Sequence, residues 1–196
     1  MKKLLSLIFF ALISFSVYAG PFGLKMGMTL DEIAEVCEEE PSLVRDDIYL
    51  IRPNKKHPLF IYYAVYVNEK LGLYQIRAIS ESVKCNDYGT EIQNAFNTVK
   101  DRIAKTYGNP KINNKVDPNI DSFLKESEYW FSTLEKGSRE LSAVWGQNEA
   151  LKDDLISVSL FCKVDDNIYT YQNAVLVLCY YFTNSKSVED EQDDVF

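Results

Sequence analysis

Histidine is almost absent from this chain of 196 residues, which contains one histidine, eight glycines and six prolines. A single histidine excludes histidine-rich metal centres and leaves little for histidine-based catalysis. The low glycine and proline content excludes collagen-like and low-complexity chains. The P-loop, the Gly-x-Ser-x-Gly nucleophile elbow and the dinucleotide-binding glycine motif are missing as well. What remains is a globular composition, with 46% hydrophobic and 13% aromatic residues.

Basic residues are scarcer than acidic ones, 21 against 29, and the formal net charge is −8. Proteins that bind nucleic acid normally carry the opposite balance, so we expect no nucleic-acid partner. An acidic surface is suited to a basic protein partner.

The longest apolar run lies at the N-terminus. Two lysines precede the mostly apolar residues 4–15, and Val17 and Ala19 then present small residues before Gly20. This pattern predicts a secretory signal peptide that is cleaved between Ala19 and Gly20. The run is shorter than the roughly 20 residues that span a bilayer, so an uncleaved membrane anchor is the less favoured alternative.

Cleavage after Ala19 would direct the remaining 177 residues to the periplasm or to the extracellular space. No cysteine follows the cleavage point, so a bacterial lipid anchor is not indicated. The chain has no Asn-x-Ser/Thr sequon, which favours a bacterial over a eukaryotic secreted protein.

All four cysteines lie beyond the predicted cleavage point, and an even number in an oxidising compartment predicts two disulfides. Three pairings are open in principle. If the last two predicted strands pair with Cys162 opposite Cys179, their apolar residues share one face, so this register favours a Cys162–Cys179 bridge. Cys37 and Cys85 then form the second bridge.

Hydrophobic periodicity predicts two helices and seven strands. The first helix begins with a capping box of Thr29 and Glu32, and the second has a candidate box of Thr90 and Gln93 and ends at Gly108. The strands are predicted at 47–52, 59–67, 71–80, 128–134, 139–145, 155–164 and 174–182. The order α-βββ-α-ββββ predicts an α+β fold in which two helices pack on antiparallel meander sheets.

No linker divides the chain, so we expect one domain over residues 20–183, with 20–86 and 87–183 as its possible halves. The last residues, 184–196, are acidic and contain little apolar material. They predict a flexible tail.

Part of the first half resembles a known family. Its motifs are Gly27-Met28-Thr29 at the start of a short helix, and Tyr66-Val67 and Leu73-x-x-Ile76 in the following strands. This rhythm resembles the small periplasmic α-β-β-β modules of the SmpA/BamE kind, whose tandem form is the β-lactamase-inhibitor protein. Gly89-Thr90 would open a second copy, which gives a tandem of two αβββ units. The resemblance implies a protein-binding scaffold without catalysis.

One loop carries oxygen-bearing side chains at the spacing of a calcium loop. Asp117, Asn119 and Asp121 occupy positions 1, 3 and 5, and Glu128 occupies position 12. Ser122, however, stands where such loops need a glycine. We therefore expect a polar loop without a metal or cofactor, with calcium binding as the alternative.

Catalytic residues are not indicated by any spacing in the sequence. His57 lies in a polar stretch with no identifiable nucleophile, which favours a surface position. Acidic clusters at 38–40, 153–154 and 165–166 leave a small secreted hydrolase that uses surface carboxylates as the alternative function.

Residues of the central strands are the best candidates for contacts with another protein. By alternation, Tyr63 shares a face with Gln75 and Arg77, whereas Tyr62 is expected in the core. The sequence thus favours a secreted, non-catalytic binding protein of the interaction or inhibitor type. Its expected partner is a protein, such as a basic cell-wall hydrolase or toxin.

Overall fold

The computed structural model describes residues 20–146, 150–165 and 172–188. The predicted signal peptide, residues 1–19, lies outside this part of the chain. The folded region follows the predicted cleavage point directly, because Pro21 is buried and Leu24 is fully enclosed in the core.

Only the first five residues of the predicted tail, 184–188, are described. The side-chain amide of Asn184 donates to the carbonyl oxygens of Leu71 and Leu73, both at 3.1 Å. Ser185 and Val188 are buried. The chain therefore stays packed against the domain at least as far as residue 188.

The described residues form an α+β fold with one antiparallel sheet. Its main helices are α1 (Leu30–Glu35), α2 (Thr90–Tyr107) and α3 (Trp130–Glu135). Its strands are β1 (Ser42–Arg45), β2 (Ile48–Ile51), β3 (Phe60–Asn68), β4 (Gly72–Ser80), β5 (Val83–Lys84), β6 (Lys111–Val116), β7 (Arg139–Trp145), β8 (Leu155–Val164) and β9 (Asn173–Phe182). None of the helices in the described ranges has the length and apolar character that a membrane crossing requires.

The sheet consists of two meanders that meet at its centre. Its spatial order is β1-β2-β3-β4-β9-β8-β7-β6, and the short β5 pairs with β9 beside β4. Each meander of four strands follows a helix, α1 before β1–β4 and α2 before β6–β9, with α3 between β6 and β7. The last strand of each meander therefore lies in the middle of the sheet, where β4 and β9 pair antiparallel.

All three helices contribute to the core on one face of the sheet. Ile33 of α1, Phe96 of α2 and Phe131 of α3 belong to one hydrophobic cluster with Ile76 of β4 and Leu178 of β9. Strand residues alternate between the two faces, so only every second residue of β9 reaches this cluster. One core therefore draws on both halves of the chain.

The two predicted capping boxes have different outcomes. Thr29 and Glu32 form the predicted box at the start of α1. The box predicted at Thr90 and Gln93 is wrong, because the N-cap of α2 is Gly89. The side chain of Asn86 instead accepts the N–H of Thr90 at 3.0 Å.

Four elements differ from the predicted order α-βββ-α-ββββ, and one of them is the two-residue strand β5, which was not predicted. The stretch 128–134 was predicted as a strand for its aromatic residues, but α3 occupies most of it, and its Phe131 N–H donates to the Asp87 carbonyl at 2.9 Å. The strands β1 and β6 were not predicted, because both lie at sheet edges and neither has a buried residue. Without a buried face, an edge strand shows no alternation of apolar and polar residues.

Candidate functional site

One face of the sheet has no helix packed on it in the part of the chain that the structure describes. This face, called here the open face, consists of the strand residues that alternate with the core residues. Its central members are Leu50, Tyr62, Ala64, Tyr66, Gln75, Arg77, Ile79, Ser159, Phe161, Val177, Cys179 and Tyr181. A sheet face of this size that no helix covers is a candidate surface for a protein partner.

Exposed apolar side chains concentrate at the β1–β3 end of the sheet. On the open face, Tyr62 is 59% exposed and Leu50 is 44% exposed, and Ile61 beside them is 50% exposed. Leu43 and Val44 of the edge strand β1 are exposed as well, but Leu43 pairs with Tyr49 and therefore lies on the helix side of the sheet. Large hydrophobic side chains that remain exposed next to one another mark interaction surfaces more often than isolated ones do.

An arginine lies at the centre of the open face among tyrosines. The Arg77 guanidinium carbon is 5.3 Å from the centroid of the Tyr66 ring, a cation–π distance. The Arg77 Nε atom is buried without a hydrogen-bond partner. Among the described residues no carboxylate forms an ion pair with Arg77. The centre of this face therefore offers an uncompensated positive charge.

Burial shapes the electrostatics of this cluster. Burial, followed by the nearby Cys179, raises the pKa of Tyr181 to about 12. Burial also raises the pKa of Tyr66, an effect that Arg77 opposes. Both phenols therefore remain neutral at physiological pH, and Arg77 is the charged group in contact with the Tyr66 ring, with Arg45 and Asp47 acting on Tyr66 more weakly.

A groove opens at one end of the same face. It has a volume of about 640 Å³ and lies between Tyr62, Ile79 and Val177. Lys163 and Glu81 stand at its rim. An apolar groove with charged groups at its edge resembles the pattern of interface cores with polar rims.

Two of the three predicted interface residues lie on the open face. Gln75 and Arg77 face outward as predicted, although neighbouring side chains leave Gln75 only 8% exposed. The prediction for Tyr63 is wrong: this side chain is 2% exposed on the helix side, where its hydroxyl accepts the His57 N–H at 3.0 Å. The prediction that Tyr62 lies in the core is wrong as well.

A β-bulge explains the exchange of Tyr62 and Tyr63. At the turn end of the hairpin, Val67 pairs with Leu73, but the next pair is Tyr66 with Gln75, so Tyr74 is an extra residue. One extra residue reverses which side chains of β3 and β4 share a face. A regular ladder would place Tyr63 opposite Arg77, and nothing in the sequence shows the bulge.

The predicted disulfide register is also wrong. Cys162 pairs with Leu176, and Cys179 pairs with Ser159, so the two sulfurs lie on opposite faces of the sheet. Cys37 and Cys85 do not form a disulfide either, and all four cysteines are free thiols in this structure. Since β9 is apolar on both faces, its hydrophobic pattern does not select one register over the other.

The residues of the predicted calcium loop do not converge. The Asp117 side chain accepts the N–H of Asn119 at 2.9 Å, and Glu128 lies in a separate helical turn, 127–129. No group of three or more acidic, cysteine or histidine side chains that could hold a metal ion exists in the described ranges. The segment is thus a polar loop with its own hydrogen bonds.

Three carboxylates of the acidic clusters have partners of their own. Glu38 binds Lys56 at 2.6 Å and Glu39 binds Arg52 at 3.0 Å, all with substantially exposed side chains. Asp153 accepts the Tyr107 hydroxyl at 3.0 Å. These contacts do not place two carboxylates around a common substrate position. Asp166 lies outside the described residues.

Comparison of the chain with protein-family models, with curated proteins and with solved structures finds no match. The function must therefore be argued from the surface itself.

Proposed function

We propose that this chain is a secreted, non-catalytic binding protein whose open face contacts another protein. The observation that supports this proposal is the nine-stranded sheet with helices on one side and exposed Tyr62, Leu50 and Ile61 on the other. Aromatic and arginine side chains contribute most of the binding energy at many protein interfaces, and the open face has both. Secretion after cleavage at Ala19 belongs to the same proposal.

The arrangement of the sheet supports a tandem of two related units. Each half places a helix before a four-stranded meander, and the last strands of the two meanders pair in the centre. The halves differ in detail, since α3 interrupts only the second one. We propose that two units of the α-β-β-β kind, each with an additional strand, combine to form one continuous binding face, as the resemblance to the SmpA/BamE modules implies.

The charge of the open face indicates the character of the partner surface. Strand positions on this face hold Arg45, Arg77, Lys163 and the β6 lysines Lys111 and Lys115. The one acidic strand residue facing the same way is Glu140, opposite Lys115. Acidic groups beside the face come from loops: Glu81 lines the groove, and Asp47 acts on Tyr66. The strand positions themselves are net positive, which favours an acidic partner surface at Arg77. The proposed contact is an acidic surface whose carboxylate meets Arg77.

The proposal is tested by affinity capture from a periplasmic extract with matched variants. Tyr62→Ala removes an exposed tyrosine of the open face, and Tyr88→Ala removes a comparably exposed tyrosine outside it, at 59% and 49% exposure. A protein that is captured by the wild type and by Tyr88→Ala, but lost with Tyr62→Ala, supports the proposal. Equal loss with both variants, or retention with both, contradicts it.

A charge-reversal variant tests the acidic character of the partner. Arg77→Glu would place a negative charge where we propose that a partner carboxylate docks. The captured protein should bind this variant at least about tenfold more weakly, because like charges replace an attractive pair. Undiminished binding by Arg77→Glu, with normal folding by circular dichroism, would exclude this docking point.

A further inference from the structure

A second concave site lies on the opposite side of the sheet from the open face. It has a volume of about 370 Å³ and is enclosed by the segment 20–22, helix α2 and the central strand β9. Its base is formed by Leu178 and Tyr180, which belong to the core cluster. A cavity of this size matches the lower range of pockets that bind small molecules.

The walls of this pocket are aromatic and aliphatic. The Phe22 ring packs edge-on against Tyr180 at 5.8 Å, and the Tyr107 ring lies 6.5 Å from Tyr180. Val99 and Ile103 of α2 complete the apolar wall. These rings and methyl groups favour a flat apolar ligand body.

The mouth of the pocket is cationic. Arg102 and Lys152 both line it. Among the described residues neither has an acidic partner: Arg102 Nη1 lies 3.2 Å from His57 Nε2, and Lys152 lies over the Tyr107 ring at 5.8 Å. The one acid of the mouth, Asp153, accepts the Tyr107 hydroxyl at 3.0 Å.

One hydroxyl inside the pocket also lacks a hydrogen-bond partner. Tyr180 is 8% exposed and lines the pocket, and its hydroxyl, which has no hydrogen bond to another described residue, is not fully buried. Burial raises the pKa of Tyr180, with Asp153 as a further cause, so the group remains a neutral donor. A hydroxyl that lines a pocket and has no protein partner is available to donate a hydrogen bond to a ligand.

The backbone around the mouth is strained. Phe22 and Asp153 adopt left-handed conformations with φ of 59° and 64°, which side-chain-bearing residues rarely adopt. Such conformations persist where the surrounding structure imposes them, and they cluster at binding sites.

We propose that this pocket binds a small aromatic carboxylate. The aromatic body packs against Phe22, Tyr107 and Tyr180, the carboxylate meets Arg102 and Lys152 at the mouth, and the Tyr180 hydroxyl donates to a polar atom of the ligand. This binding site is separate from the open face and does not depend on the function proposed for that face.

Naphthoate is a suitable probe, with naphthalenemethanol as its neutral analogue. Titration of the purified protein, followed by two-dimensional NMR, should show saturable naphthoate binding with shifts at Val99, Ile103 and Tyr180. The alcohol should bind about tenfold more weakly, because it lacks the charge-assisted contact.

Three variants separate this site from non-specific binding. Arg102→Gln should weaken naphthoate binding about tenfold, and Tyr180→Phe about two- to tenfold by loss of one hydrogen bond. Lys105→Gln is the control, since it removes an exposed lysine of the same helix that does not line the pocket. The proposal is overturned if naphthoate does not bind, if its shifts map to Tyr62 and Val177, or if Lys105→Gln weakens binding as much as Arg102→Gln.

Discussion

At the scale of single residues, Gly89 is the glycine with the least room for a side chain, because it lies against the Trp130 ring. Gly89 caps α2 with a φ of +61°, and a Cβ built on it would lie 2.0 Å from Cε3 of the Trp130 ring. Trp130 is 4% exposed and also packs against the Arg139 guanidinium at 5.7 Å. The indole thus has little freedom to move away.

Gly89→Ala should therefore cost more than its backbone conformation alone requires. Gly137 is the matched control, because it has a φ of +70° and nothing within 4 Å of its Cβ position. Both substitutions pay the left-handed backbone cost, but Gly89→Ala should lower the free energy of unfolding by about 1–3 kcal/mol more, through overpacking. Urea denaturation measures the difference. An equal decrease in the free energy of unfolding for both variants would show that Trp130 moves aside without destabilising the fold.

The cysteines provide a second test at this scale. Burial raises the pKa of Cys162 to about 12, and burial likewise raises the pKa of Cys37 and Cys85. Since the thiolate is the reactive form, these thiols should react slowly with iodoacetamide in the native protein. After denaturation without reductant, four alkylated cysteines should be found by mass spectrometry. A disulfide-linked peptide pair in the non-reduced digest would refute the free-thiol arrangement.

At the scale of elements, the register of strand pairs decides which residues reach each face. The β3–β4 bulge brings Tyr62 rather than Tyr63 to the open face, and the β8–β9 register separates Cys162 from Cys179. Both outcomes depend on which residues pair, which the alternation within a single strand does not show.

An engineered disulfide can test the β8–β9 register directly. Ser159 lies opposite Cys179, and paired residues of antiparallel strands have Cα atoms about 4.5–5.5 Å apart, within disulfide reach. Ser159→Cys should therefore form a bridge to Cys179 on mild oxidation. Ser157→Cys, whose partner is Tyr181, should not form it. A disulfide between Cys179 and Cys162 in the peptide map would contradict the observed register and support the register predicted from the sequence.

The sequence predicts the helices and strands in which buried residues recur at the period of a helix or a strand. The bounds of β7 and β8 agree with their alternating runs, and α2 agrees with its stripe of Ile92, Phe96 and Val99. It fails for α3, where aromatic residues typical of strands are buried on a short helix. The sequence predicts only part of the candidate site. The outward positions of Gln75 and Arg77 follow from alternation within one strand, whereas the outward position of Tyr62 results from a bulge between two strands.

At the scale of the whole molecule, the sheet separates two surfaces with different chemistry. The open face presents exposed aromatic and aliphatic groups around Arg77 and is suited to a protein. The helix side holds a small pocket of about 370 Å³, which is suited to a small molecule. Because β4 and β9 are the central strands of the sheet, both halves of the chain must fold before either surface is complete.

Site-specific photo-crosslinking tests the central claim, that the open face contacts a protein partner, most directly. Benzoylphenylalanine at position 62 would stand on this face, and at position 88 it would stand elsewhere with similar exposure. Irradiation of cells that express the protein should give one discrete heavier species from position 62, and none from position 88. The same crosslinked species from both positions would contradict the claim that the open face contacts the partner. A crosslinked species from position 88 without one from position 62 would contradict it as well.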